Sequence, residues 1–388
     1  MGASSLPFEL WDMVVDNLED DVHALKQCAL VCKTWACLSQ RHLFSLLMCA
    51  KNSAGTPKDL GQFLSDKPNL AADVGTLILD HQTIALPVLQ LIIDLLPNLR
   101  TLDLNSVTIP QPSDAELTLP MPRTHRLVSF QWARCDATSS TLYLVLAHFT
   151  SIASLVLKDR SRSGRYLRIC KSLRKLVPSH LAVEHISYTT FPTSVLSDLV
   201  RGSRMATTVE SIEIVSTAGI SLEMLGDVLL AVTSLRHLHL RSRSFMLWWD
   251  DRSRDIKLAQ CTSLETVQFT LHSEEPTQEN VEFWLLQWLT GIRYLPPSLR
   301  AVRFRVYGLP KLWRLASSST DLEDEFWPEI NRRVLDLPPH TRLEVVSAVD
   351  VPAERPLAHD DIVAARMFIR ARLPRLVEQG RLSVFEDQ

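Results

Sequence analysis

The feature that most constrains the fold of this sequence is a triplet of apolar residues, spaced apolar–x–x–apolar–x–apolar, that recurs along most of the chain. The first positions of successive copies are 25 to 44 residues apart. Such a period is typical of proteins in which each repeat must stack on its neighbours to bury its apolar face. The copies are Val74-Leu77-Leu79, Leu99-Leu102-Leu104, Leu127-Phe130-Trp132, Ile152-Leu155-Leu157, Val183-Ile186-Tyr188, Val209-Ile212-Ile214, Leu235-Leu238-Leu240, Leu264-Val267-Phe269, Leu299-Val302-Phe304 and a weaker Leu343-Val346-Ala348.

Each copy predicts a strand followed by a helix. The last two positions of the triplet alternate with the period of a strand, and segments with helical periodicity lie between copies. Parallel strands would then line the concave side of an arc and helices its convex side, which is an α/β fold. The helical segments are Leu86–Leu96, Leu142–His148, Tyr166–Leu176, Ser194–Val200, Leu222–Val232, Glu279–Leu289 and Glu323–Leu335.

A shared lead-in supports the repeats, since Pro or Thr followed by Ser or Asn precedes Leu99, Leu235, Leu264 and Leu299. Residues 70–350 thus resemble a leucine-rich repeat domain. The Asn or Cys that this family carries three residues after the triplet is present only as Cys135. The resemblance therefore implies an irregular solenoid that largely lacks the ladder of side-chain hydrogen bonds. A doubly wound α/β domain is the alternative.

The first fifty residues carry a different pattern, with three short apolar stripes at helical spacing. Pro7 suits the first turn of a helix, and Asp20-Asp21 supplies a cap for the next one. Helices this short cannot bury all their apolar faces against one another, so we expect a partner to cover part of this surface. The stripes are Leu6, Leu10, Val14, Leu18; then Leu25, Cys28, Ala29, Cys32; then Trp35, Leu38, Leu43, Phe44, Leu47.

The order Leu-Pro-x-Glu-Leu, an acidic break and Val-Cys-Lys-x-Trp resembles the F-box. Trp11 and Val14-Val15 depart from that family, which usually has Leu and bulkier pairs there. The resemblance implies docking on the Skp-type adaptor of an SCF ubiquitin ligase, and through it on a cullin. Its adaptor-binding residues would be Leu6, Pro7, Leu10, Val14, Val31, Cys32 and Trp35. The alternative is a helical hairpin that caps the following domain.

These patterns predict four regions. Residues 1–50 form the F-box, residues 51–70 a linker with a short helix, and residues 71–350 the degenerate repeats. Residues 351–388 form a cap that covers the last repeat, with a helix over Asp360–Glu378 followed by a strand over Arg381–Phe385.

Composition narrows the class of protein. The chain is 46% hydrophobic and 22% charged with a net charge of -3, which is ordinary for a folded protein and gives no reason to expect nucleic-acid binding. The longest apolar run, Ile84–Leu96, is interrupted and too short to span a membrane. Seven cysteines without regular pairing, and no signal peptide, predict a reducing compartment, cytoplasmic or nuclear.

No motif for catalysis is present, since the chain has no phosphate-binding glycine loop and no Gly-x-Ser-x-Gly elbow. Cys28 with Cys32, and His237 with His239, would each offer two metal ligands on one face, but neither pair has a third. We therefore expect no metal, no cofactor and no enzymatic activity. An enzyme with a site on the insertion loops is the most distant alternative.

The predicted concave side offers a surface for a protein target. Side chains that alternate with the apolar ones point outward there. Stacking the copies would group arginines into a modestly basic patch able to hold an acidic or phosphorylated peptide, and an aromatic pair in an insertion is a further anchor. The predicted target-binding residues are His237, His239, Arg241, Trp248, Trp249, Arg303 and Arg305. The chain thus reads as the substrate-recognition subunit of an SCF-type ligase; alternatively it is a repeat scaffold unconnected with ubiquitin.

Overall fold

The computed structural model describes residues 7–50, 56–111, 125–158, 175–189, 193–216, 222–242, 258–271, 285–286, 289, 295–307, 327–348 and 359–386. The chain divides into two compact units, Met1–Ala182 and Val183–Gln388. Within each unit, parallel strands lie side by side in chain order, with helices between them.

The first unit begins with three helices and continues with strand–helix repeats. Its elements are α1 (Phe8–Asp16), α2 (Val22–Cys28), α3 (Lys33–Leu43), β1 (Leu46–Ala50), α4 (Pro57–Asp66), α5 (Pro68–Asp73), β2 (Thr76–Asp80), α6 (Leu86–Leu95), β3 (Thr101–Asn105), β4 (His125–Ala133), α7 (Ser139–Leu146) and β5 (Phe149–Lys158).

The second unit continues the same pattern from strand to helix. Its elements are β6 (Ala182–Thr189), α8 (Thr193–Gly202), α9 (Met205–Thr208), β7 (Ser211–Ser216), α10 (Leu222–Ala231), β8 (His237–Ser242), β9 (Thr266–Leu271), β10 (Ala301–Tyr307), α11 (Trp327–Leu335), β11 (Arg342–Ala348), α12 (His359–Arg372), α13 (Pro374–Glu378) and β12 (Leu382–Glu386). The predicted helices Tyr166–Leu176 and Glu279–Leu289 lie almost entirely outside the described residues.

The triplets form the core because parallel pairing aligns them from strand to strand. Leu77 pairs with Leu102, which pairs with Phe130, and all three are fully buried. In the second unit Ile212, Leu238 and Val267 form an equivalent row. A doubly wound sheet reverses its strand order at a switch point, and no reversal occurs among the described strands of either unit. The predicted repeat of parallel strands and helices is therefore confirmed.

The lead-in residues replace the missing asparagine ladder. The Ser234 hydroxyl donates to the Val209 carbonyl at 2.8 Å, and the Ser298 hydroxyl donates to the Leu264 carbonyl at 2.8 Å. Thr208 and Thr341 make the corresponding bonds to the carbonyls of Val183 and Leu299. Because each of these four hydroxyls bonds the first triplet residue of the preceding copy, neighbouring repeats are tied together ahead of β7, β8, β10 and β11. The Cys135 thiol also donates to the preceding repeat, at the Leu104 carbonyl.

Two predicted helix boundaries were wrong. The third N-terminal stripe was extended to Leu47, but α3 ends at Leu43 and Leu46–Ala50 is strand β1, paired with β2. The C-terminal helix was predicted to run unbroken to Glu378, but it breaks between α12 and α13. Pro374 has no N–H to donate and disfavours helical backbone at Leu373, whose φ and ψ are -122° and 51°. The predicted last strand is present as β12 and pairs with β11.

The register of the tenth triplet was also wrong. Pairing with β10 places Leu343 beside Val302 and Val345 beside Phe304. The triplet therefore ends at Val345, three residues before the predicted end at Ala348. Leu343, Val345 and Val346 are all buried and apolar, so the local pattern fits either register and the hydrogen bonds to the neighbouring strand decide between them.

Candidate functional site

The three N-terminal helices enclose a small core. Val15, Leu25 and Leu38 are buried at its centre, one from each helix. Four half-buried side chains pack around them, among which the rings of Trp11 and Trp35 have centroids 5.1 Å apart.

Polar contacts fix the helices that enclose this core. Arg41 in α3 contacts Asp12 at 2.9 Å and Asp16 at 2.7 Å, which ties α3 to α1. The Asp21 carboxylate accepts the Ala24 N–H at 2.9 Å and so caps α2, as predicted for the acidic pair. The helices are therefore held by buried contacts and by exposed charge pairs.

Large apolar side chains nevertheless remain exposed on these helices. Leu10 and Val14 lie on one face of α1 and are 43% and 45% exposed, and Val31, which follows α2, is 65% exposed. Met13, Val22 and Leu30 are also exposed. We call these six residues, Leu10, Met13, Val14, Val22, Leu30 and Val31, the exposed helical residues.

The predicted adaptor-binding residues fall into three groups. Leu10, Val14 and Val31 are among the exposed helical residues, and Pro7 and Cys32 are also exposed. Trp35 instead packs against Trp11 and the small core. Leu6 lies outside the described residues. Whether these residues bind an adaptor stays a prediction.

A second candidate surface lies on the strands of the second unit. In each copy, the outward-facing residue between the second and third triplet positions contacts its counterpart on the next strand. We call this line of side chains the middle row. Its members on β6 to β11 are Ser187, Glu213, His239, Gln268, Arg303 and Glu344.

The middle row begins at a carboxylate. The Ser187 hydroxyl donates to Glu213 at 2.9 Å, and His239 Nδ1 lies 3.2 Å from the other oxygen of Glu213. The hydrogen bond from His239, with smaller contributions from Ser187 and from the charge of Arg241, lowers the pKa of Glu213 to about 2. Glu213 is therefore ionised at neutral pH and already engaged by its neighbours.

The row continues to a second carboxylate. Gln268 lies 3.2 Å from His239, and Arg303 donates to Gln268 at 3.4 Å. Arg303 also donates to Glu344 through Nε and Nη2, at 2.8 and 2.7 Å. Each polar side chain of the row thus has a partner on an adjacent strand.

The predicted target-binding residues occupy different rows of this face. His237 contacts the Thr266 hydroxyl at 2.7 Å, and His239 and Arg303 belong to the middle row. Arg241 and Arg305 lie in the row beyond it, next to Thr270. The ion pair with Glu344 reduces the positive charge that Arg303 brings to the predicted basic patch. Trp248 and Trp249 lie outside the described residues.

Sequence reasoning missed Ser187, Glu213 and Glu344. The signal for the first two was available, because both occupy the position between the second and third triplet residues. Glu344 was hidden by the wrong register of the tenth triplet, which assigned that position to Ser347. Aligning the copies by position would have found most of the row.

In the part of the chain that the structure describes, no three His, Cys, Asp or Glu side chains are grouped as they would be around a metal ion. Within the same residues, no helix combines the length and apolar character that crossing a membrane requires.

The strand order and register within each unit define the class as a repeat protein of parallel strands and intervening helices, as in leucine-rich repeats. No family model matches the chain, and no curated protein matches it. Among solved structures, it is similar to the leucine-rich repeat-containing protein LegL7 from Legionella pneumophila, at 10% identity and a TM-score of 0.39, over 85% of this chain and 98% of that chain. A TM-score this low carries no argument, so the class rests on the strands themselves.

Proposed function

We propose that this protein is the substrate-recognition subunit of an SCF-type ubiquitin ligase. The N-terminal helices dock on a Skp-type adaptor and the strand–helix repeats bind the target protein. The protein itself performs no bond chemistry; it holds the target near a ubiquitin-loaded enzyme, so that proximity raises the rate of transfer.

The observation that carries the proposal is the exposure of the six exposed helical residues. A folded chain usually buries side chains of this size and kind, and those that it leaves exposed are available for an interaction with a partner. Leu10, Val14 and Val31 are both exposed and at F-box motif positions. Another residue of that motif, Trp35, packs against Trp11 and the small core and so supports the helices from inside.

Co-expression with a Skp-type adaptor followed by size-exclusion chromatography tests this proposal. We expect a one-to-one complex for the wild type and at least about a hundredfold weaker binding for Leu10→Asp, because a charge would enter an apolar interface. Met367→Asp is the matched control, since Met367 is exposed on α12 in the other unit. A folded wild-type chain that elutes without the adaptor contradicts the proposal, as does an equal loss in both variants.

A second candidate is a repeat scaffold unconnected with ubiquitin, whose N-terminal helices only cap the first strand. Strand β1 favours it, because β1 follows α3 closely and pairs with β2. The Ser45 carbonyl also accepts the N–H groups of Gly75 and Thr76, at 2.9 and 2.8 Å. A chain beginning at Asn52 would lack β1 and is destabilised under either function. The adaptor experiment is therefore the one that separates them.

A further inference from the structure

The row beyond the middle row places two arginines on either side of a buried threonine. Arg241 on β8 pairs with Thr270 on β9, and Thr270 pairs with Arg305 on β10. Adjacent strands are about 4.8 Å apart, so the Cα atoms of the two arginines are about 10 Å apart. We call these three residues the arginine cleft.

Arg241 carries a buried donor that no described residue satisfies. Its Nε atom is inaccessible to solvent and has no hydrogen-bond partner among the residues that the structure describes. A buried N–H without an acceptor is destabilising, so such groups are rare unless a ligand or water completes them. Arg241 also forms no ion pair with any described residue. Its charge acts on Glu213, but that carboxylate is held by His239 and Ser187.

Thr270 supplies the floor of the cleft but no donor to a ligand. Its hydroxyl lies 2.8 Å from His239 Nε2, and Gln268 donates to the same oxygen at 3.3 Å. In the tautomer that donates from Nδ1 to Glu213, His239 Nε2 accepts from the Thr270 hydroxyl. Hydrogen bonds to a ligand must therefore come from the arginines.

The arginines on the neighbouring strand show how the arginine cleft differs from the middle row. Arg303, one row away, uses its Nε and Nη2 groups on Glu344. The guanidinium of Arg305 lies 5.4 Å from the centre of the Tyr307 ring, a geometry that orients its planar fork. No carboxylate occupies the same row on described strands β7 to β11, where the other members are Val215 and Val346.

From these observations we infer that the arginine cleft binds an oxyanion, the carboxylate or phosphate group of an acidic side chain of the target. On binding, the Arg241 side chain turns its Nε–H and Nη–H towards one oxyanion, which accepts both in parallel and receives the charge of Arg305 across Thr270. The inference rests on the target-binding half of the proposed function. It does not depend on adaptor docking, whose loss leaves the cleft unchanged.

Binding of three small probes to the full chain tests the inference. N-acetyl-phosphoserine amide, N-acetyl-glutamate amide and N-acetyl-glutamine amide share a backbone and differ in the side-chain group. We expect saturable binding of at least one acidic probe, about tenfold tighter than that of the glutamine probe, because a charge-assisted pair is worth about 1.5 kcal/mol or more. A preference between the acidic probes tells phosphate from carboxylate. Equal binding of all three, or none, overturns the inference.

Variants locate the site. Arg241→Gln should weaken acidic-probe binding about tenfold, and Arg303→Gln should change it less than about twofold, because Arg303 is already paired. Arg300→Gln is a second control, since Arg300 is exposed at the start of β10. An equal or larger loss in either control overturns the assignment.

A conservative variant guards against misfolding. Arg241→Lys keeps the charge but lacks the planar fork, and we expect about threefold weaker binding with an unchanged circular dichroism spectrum. Wild-type affinity in Arg241→Lys shows that charge alone suffices and overturns the proposed fork. Adaptor binding measured on the same variants remains intact, so the inference fails or holds separately from the ligase proposal.

Discussion

The N-terminal helices and the strand–helix repeats of the first unit differ in how far they bury their large apolar side chains. In the repeats, Phe130, Trp132 and their aligned neighbours are fully buried between strands and helices. In the helices, three side chains form the small core and six large apolar ones remain exposed. Both regions are rich in apolar residues, so the difference lies in how much of each apolar face the chain itself covers.

The comparison shows that burial distinguishes the apolar residues that stabilise the fold from those that the fold leaves exposed. A repeat residue such as Phe130 is needed for stability, because its neighbours close around it. An exposed residue such as Val31 contributes little to stability, and under the proposed function it serves to bind the adaptor. Substitutions of buried repeat residues should therefore reduce mainly stability, and substitutions of the exposed helical residues should reduce mainly binding.

The largest effect is expected at the centre of the repeats. Phe130→Ala should reduce the free energy of unfolding by about 3–5 kcal/mol, because it removes a fully buried ring and leaves a cavity. Urea denaturation followed by far-ultraviolet circular dichroism measures it. Val128→Thr on the same strand is the control, since Val128 is 59% exposed, and should change stability by less than about 0.5 kcal/mol. A small effect of Phe130→Ala would break the comparison.

Leu38→Ala tests whether the helices have a core of their own. Leu38 is buried among Val15 and Leu25, so we expect a loss of about 2–4 kcal/mol. Faster amide hydrogen exchange in residues 8–43 than in β3 and β4 would localise the loss. Unchanged exchange in the helices would show that the small core does not hold them.

Removing the charge of Glu213 tests how much a polar side chain of the repeats contributes to stability, beside the buried apolar ones. Its pKa is about 2 when folded and about 4.5 as a free side chain. The stabilisation is therefore present above pH 4.5 and is lost as pH falls from 4.5 towards 2. Glu213→Gln should cost about 1–2 kcal/mol at pH 7, allowing for partial exposure, and flatten this acid limb. Melting temperatures from pH 7 to pH 3 measure both effects. If the variant loses stability on acidification as steeply as the wild type, the contacts of Glu213 in the middle row do not stabilise the fold. Glu184→Gln, at an exposed position, is the control.

The lead-in ladder predicts a smaller loss. Ser234→Ala should cost about 1 kcal/mol, because the Val209 carbonyl loses its donor. Ser263 occupies the same lead-in position, and its hydroxyl makes no hydrogen bond with a described residue. Ser263→Ala should therefore change the melting temperature much less. Equal losses would show that the lead-in serine matters for some other reason.

The smallest effect on stability is expected at the exposed helical residues. Val31→Ser should change the free energy of unfolding by less than about 0.5 kcal/mol, because the side chain is 65% exposed, while weakening adaptor binding. Thermal unfolding and the chromatography assay give the two values on one sample. A loss of stability above about 1 kcal/mol would mean that Val31 supports the fold and would remove it from the interface.

Much of the fold was predictable from local patterns. The triplets correctly located the strands because alternation of apolar residues is a local property that does not depend on distant contacts. The exposure of Leu10, Val14 and Val31 followed from the shortness of the helices. Trp35 was assigned only to the surface, because its contact with Trp11 joins residues of different helices and leaves no local pattern.

The sites were less predictable than the strands. The middle row joins Arg303 to Glu344 across 41 residues of chain, and that pairing depends on the register of the weakest triplet. The repeated serine was visible in the sequence, but its role in the ladder required the position of the preceding carbonyl.

The sequence by itself determined the period of the repeats, the buried face of strands β2 to β10 and the excess of apolar surface on the first helices. Those properties follow from the spacing of residue types over a few positions. Only the tertiary structure decided the register of β11, the partners of Glu213 and Arg303, and the unsatisfied Nε of Arg241. They depend on hydrogen bonds between strands that are distant in sequence, and a shift by one residue would turn every side chain to the opposite face.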